Sequence, residues 1–389
     1  MNRIKEFIIT NRKVLTITAT AVLVVIIALA AALLIKKAND HNGSEEDEYT
    51  TEAVKDNGDT KNADSDSGEE SKKFKYINPL TGEGSEVDYS NKRPVAVMLN
   101  TIKQALPQSG NSKADILIEM TEEGGITRVM GIYQDLEGVG SIGAIRSTRE
   151  YYYSWTQGFD AIMVHAGGDP WVLEQIKEDG DLSVDALRSA GTAFRRDAER
   201  LKYLSSEHTL FTSSDDLQNW LGTSGTPLTY TKDNYTKFNF SEDIPEDYMT
   251  GSAKSLTVTF SSYKSTTFNY NEESGKYDVF FWDTEPYMDS AANKQVEVTN
   301  IIVLPVPNWT AVDSIGVERQ KYDLSGGEGY YINNGEYTKI NWTKGDYNVV
   351  EQYGNPFNMT TPDGEPLVMS PGKTYICVMN EAFDVGITG

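Results

Sequence analysis

The residues of this chain that could do chemistry begin with Val164-His165-Ala166-Gly167-Gly168-Asp169-Pro170, where a histidine and paired glycines separate an apolar run from a helix start. A histidine here can move a proton or contact a ligand, and Gly167 and Gly168 let a backbone approach something closely. The same residues also suit a strand-to-helix turn holding a hydrogen-bonded histidine. Asp169, as the helix cap, puts negative charge where a phosphate needs donors, so the loop does not read as a phosphate cradle. A second group is acidic. Glu119 lies inside the apolar run Ile116–Met120, with Glu122 and Glu123 just behind it. A carboxylate in such a run must be paired, or its pKa must rise. A third group is basic: Arg128, Arg146, Arg149, Arg195 and Arg196. Planar guanidinium forks fit carboxylates and phosphates. The arginines between 128 and 149 are expected to pair with Glu119 or Glu123, making either an internal ion cluster or a pocket for an anionic ligand.

Strands and helices must hold these groups in place. The runs 93–100 and 114–120 read as strands, and 125–135 as a third, with Glu122–Gly125 as the turn of a hairpin. Ser147 and Glu150 have capping-box spacing, so a helix is expected from Ser147 to Gln157, closed by Gly158. Residues 159–168 form a buried-type strand and its exit. This puts His165 at the carboxyl end of a central strand, where open α/β sheets bind ligands. A helix over 169–180 has Asp169 as cap and Pro170 at its first position. Residues 185–200 read as partly helical, and 213–221 as another capped helix. This alternation predicts an α/β-like N-terminal domain over 74–222. Beyond Leu221, alternating β-branched and aromatic segments separated by turn signals predict a mostly β C-terminal domain over 223–389. The fold class expected is therefore α+β. Tyr151, Tyr152, Tyr153 and Trp155 suit either core packing or a surface on which a sugar stacks.

Composition bounds where such a body works. The chain has 389 residues and a net charge of −23. Nucleic acid is excluded as a partner, because phosphates must be met by clustered Lys and Arg. The single cysteine, Cys377, rules out an internal disulfide and reads as a buried, inert thiol. With only three histidines in the chain, no spacing supports a metal site, and none supports a cofactor. Val14–Ile35 is free of charge and, as a helix, spans about 33 Å, enough for a bilayer core. Basic residues are heavier on its N-terminal side, so 1–13 is expected in the cytoplasm and the remainder outside. Ala28-Leu29-Ala30 resembles a signal-peptidase site but lies within the apolar run, which favours an uncleaved anchor. Residues 36–73 are acidic and poor in large apolar residues, the composition of a disordered tether. A single-pass cell-membrane protein follows.

A set of motifs occurs in a fixed order: NPLTGE (78–83), RPVAVMLN, ALPQSGNSKADILIEM, EGGITRVMGIYQD, SIGAIRSTREYY and VHAGGDP, then NYNEESGKYDVFFWDTEPYMD, VTNIIVLPVP, GEGYYINNGEYTKINW and SPGKTYICV. The set resembles the YerB-like family of bacterial envelope proteins, a domain of unknown function in N- and C-terminal halves. The resemblance covers residues 77–379. It implies an outward-facing, two-part protein and supplies no activity. Many relatives look like lipoproteins bearing an N-terminal lipidated cysteine, whereas here an apolar helix would serve as the anchor. Two functions are open. One is a membrane-anchored extracytoplasmic binding or scaffold module for a cell-wall or envelope-protein ligand, using Arg128, Arg146, Arg149, His165, Gly167, Gly168 and Arg195. The other is a wall hydrolase with Glu119 or Glu123 and His165 as acid and base. A glycosidase of that kind needs two carboxylates about 5–10 Å apart across one bond.

Overall fold

Apolar runs without alternation have no face to give to water, so they become strands covered on both sides. The computed structural model describes residues 74–180, 183–188, 193–245 and 248–389. Its first half contains β1 (Val95–Asn100), β2 (Ile116–Thr121), β3 (Thr127–Tyr133), β4 (Ser141–Gly143), α1 (Glu150–Gly158), β5 (Ile162–His165), α2 (Pro170–Glu178), β6 (Val184–Asp185), β7 (Phe194–Arg196), β8 (Leu210–Ser213) and α3 (Ser214–Ser224). Its second half contains β9 (Gly251–Ser252), β10 (Ser255–Thr259), β11 (Ser265–Asn271), β12 (Lys276–Phe281), β13 (Asn300–Val306), β14 (Asn308–Val312), β15 (Glu318–Tyr322), β16 (Gly326–Asn333), β17 (Glu336–Thr343), β18 (Thr374–Asn380) and β19 (Val385–Thr388), with shorter pairs between them.

The main sheet has eleven strands and runs β9-β17-β16-β13-β18-β2-β3-β1-β5-β6, with one further short strand on β17. Strand β18 pairs in parallel with β2, placing Cys377 opposite Glu119. The texture change near residue 222 is thus a change in the order of elements, not a break in the sheet, and the described residues form one compact body. Side-chain parity divides the sheet into two faces. Val97, Leu99, Leu117, Val129, Val303 and Cys377 point to one side. They pack on Leu256, Val258, Phe268 and Val279 of a second, six-stranded sheet built around β10, β11 and β12. On the other side, Met98, Ile118, Met130 and Ile376 meet Tyr151, Tyr152 and Trp155 of α1 and Val172 of α2. The aromatic run of α1 is therefore core.

Several expected elements form. Strands β2 and β3 are the predicted antiparallel hairpin. Asp169 caps α2, its side chain accepting from Val172 N at 3.1 Å, with Pro170 at the first position. Ser213 caps α3 through Asp216 N at 3.1 Å. Asn334 and Gly335 (φ 48° and 76°) make the tight turn between β16 and β17 that Asn-Gly favours.

Other expectations are corrected. Helix α1 starts at Glu150 rather than Ser147, with Arg149 at the cap position and no side-chain cap bond. The preceding residues are held extended as connecting backbone: Arg146 N donates to Met98 O at 3.0 Å, and Thr148 N to Gly167 O at 3.0 Å. Described residues in 185–200 form strand and 3-10 turn, not α-helix. Strand β5 lies next to the sheet edge, between β1 and β6, and is not central. The N-terminal half is α/β-like only in its parallel β1, β5 and β6, because the antiparallel hairpin intervenes; the body as a whole is mostly β. The expected cytoplasmic segment 1–13, anchor 14–35 and linker 36–73 lie outside the described residues. Among the described residues no helix is long and apolar enough to cross a membrane.

Candidate functional site

Strand β2 ends at Thr121 and the chain turns back through Glu123–Gly125, where Gly124 and Gly125 both take φ 73°. That turn aims Glu122 at the sheet face carrying α1. Arg128, sharing parity with Met130 and Ile132 on β3, points to the same face, and Arg149 arrives from the start of α1. Glu122 Oε2 lies 2.6 Å from Arg128 Nη1 and 3.1 Å from Arg149 Nη2. These are ion-pair distances whose angles leave both Glu122 oxygens without a directed hydrogen bond among the described residues. Arg149 grips Glu123 with both prongs, Nε to Oε1 at 3.1 Å and Nη2 to Oε2 at 2.6 Å. Asp169 Oδ2 stands 3.7 Å from Arg149 Nε. Remaining donors go to backbone: Arg128 Nη1 to Ser147 O at 2.8 Å and Arg149 Nη1 to Thr148 O at 2.9 Å.

The side chain of Glu122 is 0% exposed and those of Arg128 and Arg149 are 5% and 7% exposed, so the cluster is closed except at Glu123, which is 27% exposed. Burial pushes the Glu122 carboxyl above its ordinary range, although Arg128 and Arg149 pull it the other way. Burial also acts upward on Glu123, but there the Arg149 fork outweighs it and holds the carboxyl below its ordinary range. Burial lowers Arg128. On Arg149 burial acts downward too, and the two glutamates overcome it, leaving the guanidinium more firmly protonated than usual. Every charge here answers another charge of the same protein.

Glu119 is not part of this cluster, which corrects the expected pairing with arginine. Its parity on β2 is that of Leu117, so it points to the opposite face of the sheet from Arg128. There Lys264 Nζ lies 3.0 Å from Oε1. Thr127 donates to Oε1 at 2.5 Å, and Thr266 and Tyr375 each donate to Oε2 at 2.7 Å. Burial lowers the Lys264 ammonium, opposed by Glu119. Cys377 beside this pair is fully buried, and burial raises its thiol well above the ordinary value.

His165 is 1% exposed. Its Nδ1 faces Gly167 O at 2.9 Å and its Nε2 faces Ser183 Oγ at 3.3 Å. The close approach that Gly168 permits is to the chain's own α2, since a Cβ there would stand 2.5 Å from Val172 Cγ1. Gly167 needs its φ of 72° to turn the backbone, and its N–H donates to Asp185 Oδ1 at 3.0 Å. The loop of 165–169 and Glu123 thus share a neighbourhood through Arg149 and Asp169, while Glu119 lies across the sheet from them.

Arg146 leaves the cluster and pairs with Glu207. Arg195, with a side chain 57% exposed, pairs with Asp216 at 2.9 Å. Arg195, Arg196 and Arg200 instead line an open cavity of about 410 Å³ with Ser109, Ser141 and Ser290. Arg200 is absent from the sequence-derived set. Its signal is the spacing Arg195-Arg196-x-x-x-Arg200. Arg200 is only 9% exposed and donates Nη1 to Ala105 O at 2.8 Å and Nη2 to Pro107 O. Its guanidinium lies 5.0 Å from the Phe211 ring centroid. The nearest carboxylate oxygen among the described residues, Asp197 Oδ2, stands 3.9 Å from Nε.

Comparison with known proteins locates the chain. Residues 80–227 match the N-terminal domain, and residues 256–376 the C-terminal domain, of the family described as protein of unknown function (DUF3048). The chain is 30% identical over 309 residues to the Bacillus subtilis (strain 168) protein described as "Putative lipoprotein YerB", covering 77% of this chain and 85% of that protein. The crystal structure of the YerB protein from Bacillus subtilis is similar with a TM-score of 0.68 at 28% identity, covering 81% of this chain and all of that one.

Proposed function

This chain belongs to the YerB-like DUF3048 family, and on that premise we propose that it is a membrane-anchored, extracytoplasmic envelope protein that binds or scaffolds an envelope component. The charge-free run Val14–Ile35 with its basic N-terminal flank supports the anchor and its direction. The description of the Bacillus subtilis relative as a lipoprotein is consistent with attachment on the same side.

One observation carries the preference for binding over hydrolysis. The acid and base candidates are each enclosed by partners of their own, Glu119 by Lys264 and its hydroxyl donors, and His165 by Gly167 and Ser183. Acid–base catalysis needs two groups reaching one bond from a shared concave site. Glu119 and His165 occupy different networks, with Glu119 across the sheet; Glu123 neighbours the His165 loop through Arg149 and Asp169, but both its oxygens are held by the Arg149 fork.

The test uses the full chain. Protease added to intact cells is expected to remove the body, and full-length protein in detergent is expected to sediment with purified wall without releasing soluble fragments. Release of reducing ends or peptides that is abolished by His165→Ala or Glu123→Gln would reverse the preference.

A further inference from the structure

We propose that the cavity lined by Arg195, Arg196 and Arg200 is an anion-binding site for a phosphate group, which rests on the envelope-binding reading and names its ligand chemistry. The argument starts from Arg200. A nearly buried guanidinium is costly unless a carboxylate or another anion answers it. Arg128 and Arg149 are answered at 2.6 Å by Glu122 and Glu123 respectively. Arg200 has only neutral carbonyl partners within hydrogen-bond distance, those of Ala105 and Pro107, and an aromatic face beneath it. These fix its orientation, and the one carboxylate near it, Asp197 Oδ2 at 3.9 Å from Nε, answers its charge less closely than Glu122 and Glu123 answer Arg128 and Arg149.

The neighbours follow the same pattern. Arg195 and Phe211 are direct cross-strand partners on β7 and β8, and Ser141 faces Ser213 in the same small sheet. Parity places Arg195, Phe211 and Ser141 on one face. The Asp216 partner of Arg195 is an exposed ion pair, which an incoming anion can displace at little cost. Arg196, opposite Leu210 and of the other parity, borders the cavity from the far face of this sheet and gives Nη1 to Ser206 O, a neutral acceptor. Asp197 also lines the cavity; its Oδ1 accepts from the N–H groups of Glu199 and Arg200 at 2.9 and 3.1 Å, and its Oδ2 faces Arg200. In a chain of net charge −23, three arginines and one acid around an open cavity form a local reversal of sign.

The Arg195 and Arg200 guanidinium groups, with the serines lining the same cavity, offer more donors than the two oxygens of a carboxylate accept, and a tetrahedral phosphate uses them better. The site has room for more than the anion. A second cavity of about 500 Å³, lined by Lys103 and Trp282 and by the acids Glu285 and Asp289, shares Ser290 with the first. Trp282 Nε1 is buried without a hydrogen-bond partner among the described residues, and Lys103 Nζ stands 4.6 Å from the indole ring centroid. A substituent carried by the phosphate therefore meets Lys103 and the Trp282 ring together with Glu285 and Asp289 in the neighbouring cavity.

The experiment is equilibrium dialysis of full-length detergent-solubilised protein against radiolabelled inorganic phosphate, with acetate, a soluble glycerol-phosphate polymer and phosphatidylglycerol vesicles as competitors. The expected result is saturable phosphate binding, weakened at least about tenfold in Arg195→Glu/Arg196→Glu. It should be unchanged in Arg188→Gln, an exposed arginine elsewhere. Competition by the polymer or the vesicles supports the assignment, and the stronger of the two names the source of the phosphate. No saturable binding by the wild type, equal binding by the double variant, or acetate competing as well as phosphate overturns it. Sedimentation with purified wall is measured in parallel. Wall binding that survives in the double variant, with phosphate binding absent throughout, defeats the cavity and leaves the envelope reading intact, whereas phosphate binding without wall binding defeats only the latter.

Discussion

Two sets of arginines in this molecule look alike in the sequence and differ in what answers them. Arg128 and Arg149 are enclosed by Glu122, Glu123 and Asp169 at the end of β2. Arg195, Arg196 and Arg200 stand around an open cavity, with backbone carbonyls and two exposed acids, Asp216 and the more distant Asp197, as their partners. In the first set the protein neutralises its own charge, which fixes the turn after β2, the start of α1 and the cap of α2 against one another. In the second the charge remains available. An arginine is thus a site candidate according to its counter-charge, not its presence in a cluster.

The sharpest way to break that contrast is to remove Arg149. Glu122 and Glu123 would lose their shared partner in a buried setting, and the expected cost is about 3–5 kcal/mol of unfolding free energy. Chemical denaturation of Arg149→Met measures it. A cost below about 1 kcal/mol would make the cluster ornamental and return Arg149 to the list of ligand residues. Glu119→Gln tests the second buried pair. It strands Lys264 without an anion and is expected to cost about 2–4 kcal/mol, with Glu119→Leu/Lys264→Met recovering much of the loss. A cost as large in the double variant would show that the hydroxyl donors, not the pair, hold this place.

A pH series sharpens the comparison further. The Glu123 carboxyl is held below its ordinary range in the folded protein. The folded state therefore binds fewer protons than the unfolded state as this group titrates, and its stabilisation is present above the unfolded pKa and lost as pH falls through the folded one. Glu123→Gln should flatten the acid limb of a denaturation curve. Lys344 gives a pH dependence of the same sign at higher pH, as a penalty relieved rather than a stabilisation gained. It is buried, and burial lowers its ammonium to about 7. Between about 7 and the ordinary lysine value the unfolded chain binds the proton and the folded one does not, so stability from this group rises with pH. Lys344→Met should raise the Tm more at pH 6 than at pH 10. The smallest expected effect belongs to the open cavity: Arg195→Gln should change stability by less than about 1 kcal/mol, because its ion pair is exposed.

Signals in the sequence are legible where the chain resolves them locally. The caps Asp169 and Ser213 and the β2–β3 hairpin need only neighbours within a few residues. Ser147 has the right spacing for a cap, but pairing of the adjacent backbone with Met98 and Gly167 keeps it extended. The joining of the halves is hidden for a related reason, since β2 meets β18 across more than two hundred residues. Glu119 is marked by its apolar surroundings as a carboxylate needing a partner, but that partner, Lys264, lies on a hairpin of the other half. Strand parity alone separates Glu119 from Arg128. Arg200 escapes a helical reading of 185–200, which conceals the strand-and-turn geometry that brings it beside Arg195.

The most direct test of the contrast is the thermal shift produced by phosphate, measured on full-length wild type, Arg149→Lys and Arg195→Glu/Arg196→Glu. A ligand that binds the folded state raises the Tm by an amount that grows with its free concentration over its Kd. The account predicts a phosphate-dependent rise in the wild type and in Arg149→Lys, even if the latter starts from a lower Tm, and none in the double variant. A rise that persists in Arg195→Glu/Arg196→Glu, or disappears in Arg149→Lys, would contradict it.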